Sequence, residues 1–150
     1  MKRINEYRKL FGADAKTDLK QLKNTYRNLV KEWHPDKFQA GDEKAVEAEL
    51  KSQQIIDGYH FLVSIAPETL EANRAEYEIT IEEAGIADLH HKKLILEITF
   101  TDGSTYEYFG VTPKVFQKMI NSDKQKRFAK RNIFDAYLYR KVKKSAVLAD

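Results

Sequence analysis

The chain has 150 residues, with 26 Lys and Arg against 23 Asp and Glu, and it contains no cysteine. Without cysteine there are no disulfides, thiolate metal sites or thiol nucleophiles, so the fold does not depend on an oxidising compartment. No run approaches the roughly 18 apolar residues of a membrane span, and the charged opening lacks the apolar stretch of an export signal, so a cytoplasmic protein is expected.

The net charge of +3 conceals a strongly uneven distribution. Residues 1 to 65 carry 12 bases and 10 acids, residues 66 to 110 carry 3 bases and 10 acids, and residues 111 to 150 carry 11 bases and 3 acids. A basic C-terminal stretch behind an acidic one fits either a polyanion-binding surface or a solvated face attracted to its own acidic neighbour.

Along the chain, the residues up to about 84 read as a run of helices. From Thr17 or Asp18, either able to cap free N–H groups, one helix runs to Trp33. Its Leu19, Leu22, Tyr26, Leu29, Val30 and Trp33 share an apolar arc of about 100°, and Lys20, Lys23, Arg27 and Lys31 share an adjacent arc of about 80°. Four cations segregated from the one acid, Glu32, suit either a solvated face or a docking stripe. Pro35 ends the helix, because the residue before proline is pushed out of helical geometry, and His34-Pro35-Asp36 is thereby presented in a turn. A second helix follows from Asp42 to Ile65, its Ile55, Ile56, Tyr59, Leu62 and Val63 forming a face that can pack antiparallel on the first. No nucleophile accompanies His34 and Asp36, and their spacing defines no metal site, so neither catalysis nor a cofactor is expected here.

These residues resemble a J-domain, the DnaJ-type module that stimulates DnaK-type chaperones, over residues 5 to 65. The resemblance implies that the chain is not an enzyme but the regulator of a partner ATPase. It assigns chaperone docking to Lys20, Lys23, Tyr26, Arg27 and Lys31 and to the His34-Pro35-Asp36 signature. Two positions depart from the family pattern: Ser52 stands where an aromatic is usual, and Gly58 stands where alanine precedes the tyrosine. Both are expected to loosen the helical core, with Phe38 or Phe61 filling the gap.

Pro67 to Tyr77 reads as a new acidic helix with proline in its first turn, and Gly85 to His91 as a linker. Beyond it, Leu94, Leu96, Ile98 and Phe100 alternate with Ile95, Glu97, Thr99 and Thr101, the period of a half-buried strand. Asp102-Gly103 marks a hairpin returning through Ser104 to Phe109. A two-residue turn would expose Tyr106 and Tyr108, whereas a three-residue loop with Gly103 left-handed would pair them with Ile98 and Leu96 on the apolar face. The second is favoured, leaving Glu97, Thr99, Thr105 and Glu107 as the polar exterior. Thr112-Pro113 then opens a helix whose Val115, Phe116, Met119 and Ile120 would cover the sheet. A strand from Tyr137 to Val142 closes the pattern, after a basic segment containing Phe128, Ile133 and Phe134 as core anchors.

Residues 92 to 142 resemble the KTSC domain, through Leu96-x-Ile98-x-Phe100, Gly103, Tyr106-x-Tyr108, Gly110-Val111 and Phe128. Lys126 departs from the small residue that relatives often carry. RNA binding is the role suggested for such domains, and the candidate nucleic-acid contacts here are Lys124, Lys126, Arg127, Lys130, Arg131 and Arg140 with Tyr106 and Tyr108. Lys141, Lys143 and Lys144 add to the basic character, for which a solubilising surface is the alternative.

The expected architecture is therefore α+β. An N-terminal antiparallel helical hairpin (1–65) and an acidic connecting helix with linker (66–91) precede a small antiparallel sheet covered by helices (92–144) and a tail (145–150). The expected function is that of a J-domain co-chaperone docking on a DnaK-type ATPase, with the C-terminal module recruiting a target for which RNA is the candidate. The alternative is a protein-interaction adaptor or scaffold with a degenerate J-fold and no effect on ATP hydrolysis. No metal or membrane partner is implied.

Overall fold

The computed structural model describes residues 2–39 and 41–142. Lys143, Lys144 and the expected tail lie outside the described residues. The architecture is α+β, and contacts divide the chain into two compact units, Lys2–Glu71 and Ala72 onward.

In the first unit, helix α1 (Lys2–Phe11) leads to α2 (Leu19–Trp33), a single 3-10 turn (Pro35–Lys37), α3 (Glu43–Ile65) and α4 (Pro67–Ala72). Helix α2 starts on a capping box: the Asp18 carboxylate accepts from Gln21 N at 2.8 Å, and the Gln21 side-chain oxygen accepts from Asp18 N at 3.1 Å. It stops where His34 turns extended (φ −61°, ψ 130°) ahead of Pro35. Helix α3 is capped by Asp42, which accepts from Lys44 N at 3.0 Å. Helices α2 and α3 run antiparallel, with Trp33 beside Ser52 at one end and Tyr26 stacked on Tyr59 further along. Ile4, Phe11, Leu22, Ala48, Ile55, Phe61, Leu62 and Ile65 are buried, each large side chain contributing roughly 1.5–3 kcal/mol. Of the apolar arc expected on α2 only Leu22 is buried; Leu19, Tyr26, Leu29, Val30 and Trp33 are half-buried.

The two departures from the J pattern do not loosen this core. A Cβ on Gly58 would lie 2.9 Å from Tyr7 Cδ1 and 3.2 Å from Phe11 Cε1, so the missing methyl is the space into which α1 packs. Ser52 donates to the Trp33 carbonyl at 2.8 Å. The aromatic packing comes instead from Phe61, buried with its ring centroid 5.4 Å from that of Tyr7, whereas Phe38 is only half-buried.

The second unit contains α5 (Arg74–Glu83), β1 (Ile86–Lys92), β2 (Ile95–Phe100), β3 (Thr105–Phe109), α6 (Pro113–Ile120), α7 (Gln125–Asn132) and β4 (Leu138–Lys141). The strands form one antiparallel sheet in the order β1-β2-β3-β4. The segment expected as a linker is thus mostly the edge strand β1. Its alternation is hidden because its half-buried positions include His91, whose Nε2 lies 2.7 Å from the Val111 carbonyl and whose ring stacks on Phe116. An irregularity in pairing between Ile86 and Asp88 breaks the period further. The acidic helix is likewise two, α4 and α5, separated at Asn73 (φ −101°, ψ 5°).

Leu94, expected in the strand, sits instead in the β1–β2 turn, where Lys93 and Leu94 have φ of 49° and 67°. Left-handed geometry costs roughly 1–2 kcal/mol per such residue. Hydrogen bonds from Gly110 N and Val111 N to the Leu94 carbonyl hold the turn in place. The β2–β3 connection is the three-residue loop: Phe100 N donates to Ser104 O, Gly103 has φ of 91°, and Tyr106 and Tyr108 pair with Ile98 and Leu96. On the opposite face Thr105 is buried rather than exterior. Met119 of α6 is buried and Val115 and Phe116 are half-buried, but Ile120 faces solvent.

Candidate functional sites

In the first unit the residues expected to dock a chaperone fall on one stretch of surface. Lys20, Lys23, Arg27 and Lys31 are all exposed, and their spacing keeps them on one side of α2. Tyr26 differs from them. It is half-buried, stacked on Tyr59 with centroids 4.2 Å apart and planes at 16°, so its ring helps to fix the spacing of α2 and α3 as well as bordering the cations.

The stripe ends at His34-Pro35-Asp36, all three exposed. Asp36 N donates to His34 Nδ1 at 3.2 Å, and Asp36 Oδ2 lies 3.6 Å from the same nitrogen. The Asp36 carboxylate, with its side chain 92% exposed, is open to an external cation.

Sequence reasoning missed two residues that hold this corner. Ser52 bonds the carbonyl of Trp33, the residue immediately before His34, and Lys51 Nζ lies 5.7 Å from the Trp33 ring centroid. The unusual serine was visible in the sequence; its partner is set by how α3 returns along α2. On the other side of the unit, Glu68 of α4 accepts from Leu19 N at 2.8 Å. This places an acid at the N-terminus of α2, where the helix dipole favours it.

In the second unit the candidate nucleic-acid residues separate into three groups. Tyr106 and Tyr108 are core residues, 2% and 0% exposed, and cannot stack on a base. Tyr108 OH lies 3.0 Å from Tyr77 OH, and Tyr77 donates to the Phe134 carbonyl at 2.8 Å, so the hydroxyl chain runs from Tyr108 through Tyr77 to Phe134. Tyr77 also stacks on Tyr139 at 3.9 Å. Burial pushes the Tyr106 phenol up to about 12 and raises Tyr77 and Tyr108 as well.

A second group of residues is occupied by acids of the same unit. Arg140 pairs with Glu107, both largely shielded from water. Lys130 pairs with Glu82 at 3.0 Å, and Lys126 donates to the Glu82 carbonyl at 2.8 Å. Lys141 reaches Glu76 at 2.5 Å, and Arg74 bridges Glu78 and Asp135, both at 2.9 Å. The acids of α5 therefore do fold back on part of the basic surface. The third group, Lys124, Arg127 and Arg131, is exposed and makes no ion pair among the described residues. These three line an open cleft of about 520 Å³ with Asp123, Phe128 and Asn132.

Two comparisons with known proteins bear on these units. The family model of the KTSC domain matches residues 86–137. The KTSC match starts at β1, the strand hidden by its polar pattern, and leaves out α5 and β4, although Tyr77 and Tyr139 belong to the same aromatic core. The N-terminal half is J-like: over 73 residues, 49% of this chain, it is 34% identical to the DnaJ homolog dnj-10 of Caenorhabditis elegans. That stretch spans 14% of the relative's length. Among the described residues no helix is long and apolar enough to cross a membrane.

Proposed function

We propose that this chain is a J-type co-chaperone that docks on a DnaK-type ATPase and stimulates its ATP hydrolysis without catalysing a reaction of its own. The observation that carries this reading is the juxtaposition in the first unit. Four exposed cations on α2 lead into an exposed corner, with its imidazole and carboxylate set in place by Pro35 and anchored to α3 through Ser52. The cations would steer the unit to an acidic surface. Asp36 would make a charge-assisted bond to an arginine of the partner. Similarity to a protein described as a DnaJ homolog supports the same assignment. The second unit would then hold the target to which the ATPase is brought, with RNA as the candidate.

The test is single-turnover ATP hydrolysis by the cognate DnaK-type chaperone. Wild-type protein is expected to accelerate hydrolysis and His34→Gln to abolish the acceleration; equal stimulation by both, or none by wild type, removes the assignment. An adaptor role draws support from one feature, the exposed pair Val46 and Leu50 one turn apart on α3, 61% and 66% accessible. Under that reading, binding to a partner would be lost in Val46→Ser/Leu50→Ser and would change little with salt.

A further inference from the structure

We propose that the cleft along α7 is a phosphate-binding site for single-stranded nucleic acid, in which Arg127 and Arg131 hold successive phosphates, Lys124 extends the track and Phe128 supplies a stacking face. The inference deepens the target-holding part of the function proposed above, and rests on that reading only for its cellular setting.

The starting point is selective neutralisation. Elsewhere in the second unit Lys126, Lys130, Lys141, Arg74 and Arg140 each have an acidic or carbonyl partner. Lys124, Arg127 and Arg131 have none among the described residues, and all three converge on one cleft. Their placement is unfavourable in the isolated protein. Arg127 and Arg131 are four apart on one helix, where like charges repel by roughly 0.2–0.5 kcal/mol. Lys124 and Arg127 also crowd the N-terminal turn of α7, the end at which the helix dipole disfavours cations, and Lys124, the capping residue, makes no side-chain capping bond there. An anion in the cleft would relieve both effects. Asp123 is the one acid in the lining among the described residues, so the site keeps a positive balance.

The shape argues for a strand over a single small anion. Lys124 to Arg131 spans seven residues, about 10 Å of helix, which is too long for one phosphate and suits consecutive phosphates of a chain. Phe128 lies between the two arginines in sequence, half-buried in the cleft lining, as a base-stacking platform beside a cationic groove would require. A membrane surface would call for apolar side chains projecting past the cations, and Phe128 is withdrawn into the cleft instead.

The experiment uses the full chain and a fluorescein-labelled single-stranded RNA 12-mer, followed by anisotropy at rising KCl. Wild type is expected to bind with a log–log salt slope of about −2, from three phosphate contacts at roughly −0.7 each. Arg127→Glu/Arg131→Glu is expected to weaken binding at least tenfold and flatten the slope. Arg127→Gln/Arg131→Gln serves if the charge reversal disturbs folding. Lys114→Glu/Lys118→Glu, an equal charge change at exposed positions on α6, is expected to stay within a few-fold of wild type. Salt-independent binding, no binding, or equal weakening by the α6 pair would overturn the proposal. So would binding to phosphatidylserine vesicles in place of RNA. ATPase stimulation measured on the same variants keeps the two readings apart: the α7 variants should retain it whether or not they bind RNA.

Discussion

Replacing Tyr77 by phenylalanine removes one oxygen from the middle of the aromatic core and leaves the ring stacked on Tyr139. That oxygen accepts from Tyr108 and donates to the Phe134 carbonyl, and Tyr77 is 1% exposed, so water cannot replace it. Each buried group left without a partner costs about 1–3 kcal/mol. Two such groups, with some relaxation, give an expected loss of about 2–4 kcal/mol for Tyr77→Phe. In a unit of this size a loss of 1 kcal/mol lowers the midpoint by about 4–8 °C, so the unfolding midpoint of the C-terminal unit should fall by at least about 8 °C. Urea denaturation of the full chain, followed by near-ultraviolet circular dichroism, measures it directly. Tyr137→Phe is the control, because its half-buried hydroxyl has no described hydrogen bond, and it should shift the midpoint by less than about 0.5 kcal/mol. A Tyr77→Phe loss no larger than that of Tyr137→Phe would refute both the hydroxyl chain and the claim that α5 is an integral part of the unit.

Gly58→Ala gains about 1 kcal/mol of helix propensity but drives a methyl to 2.9 Å from Tyr7, where overpacking costs about 1–3 kcal/mol. A net loss of up to about 2 kcal/mol is expected in urea melts of the N-terminal unit, and a rise in stability would show that α1 yields. Ser52→Ala is expected to cost about 1 kcal/mol and to reduce ATPase stimulation by more than that loss of folded protein explains. Stimulation unchanged at equal folded fraction would remove Ser52 from the positioning of the corner. At high pH the buried tyrosines resist ionisation in the fold but ionise near pH 10 when unfolded. Their stabilising contribution is complete below pH 10 and is lost as pH rises from about 10 toward 12 for Tyr106, and beyond for Tyr77 and Tyr108. Each contributes up to about 1.4 kcal/mol per pH unit. Absorbance at 295 nm should then show delayed, cooperative ionisation that coincides with unfolding.

Helices α2 and α3 were legible because their ends are written in local chemistry: Asp18 with Gln21, Pro35 and Asp42 each act within a few residues. The cationic stripe needed only helical spacing. The hairpin register was legible because Gly103 and the alternation of Leu96, Ile98 and Phe100 agree on one loop length. What escaped depended on partners distant in sequence. Strand β1 was obscured because His91 serves as an inward residue only once Val111 and Phe116 are beside it. Lys126, Lys130 and Arg140 looked available because nothing in their own segment indicates Glu82 or Glu107 as partners. The fitness of Gly58 rests on α1, and the partner of Ser52 lies at the far end of the neighbouring helix.

Among the described residues the four-stranded sheet ends on β1 and β4, and neither offers a good template for another chain. On one side β4 is only four residues long and carries Arg140 and Lys141; on the other β1 shifts its pairing register between Ile86 and Asp88 and bears Asp88, His90 and Lys92. Short length, charge and a bulge each discourage edge-to-edge strand addition. Both margins of the sheet thus carry features that disfavour the docking of a further strand.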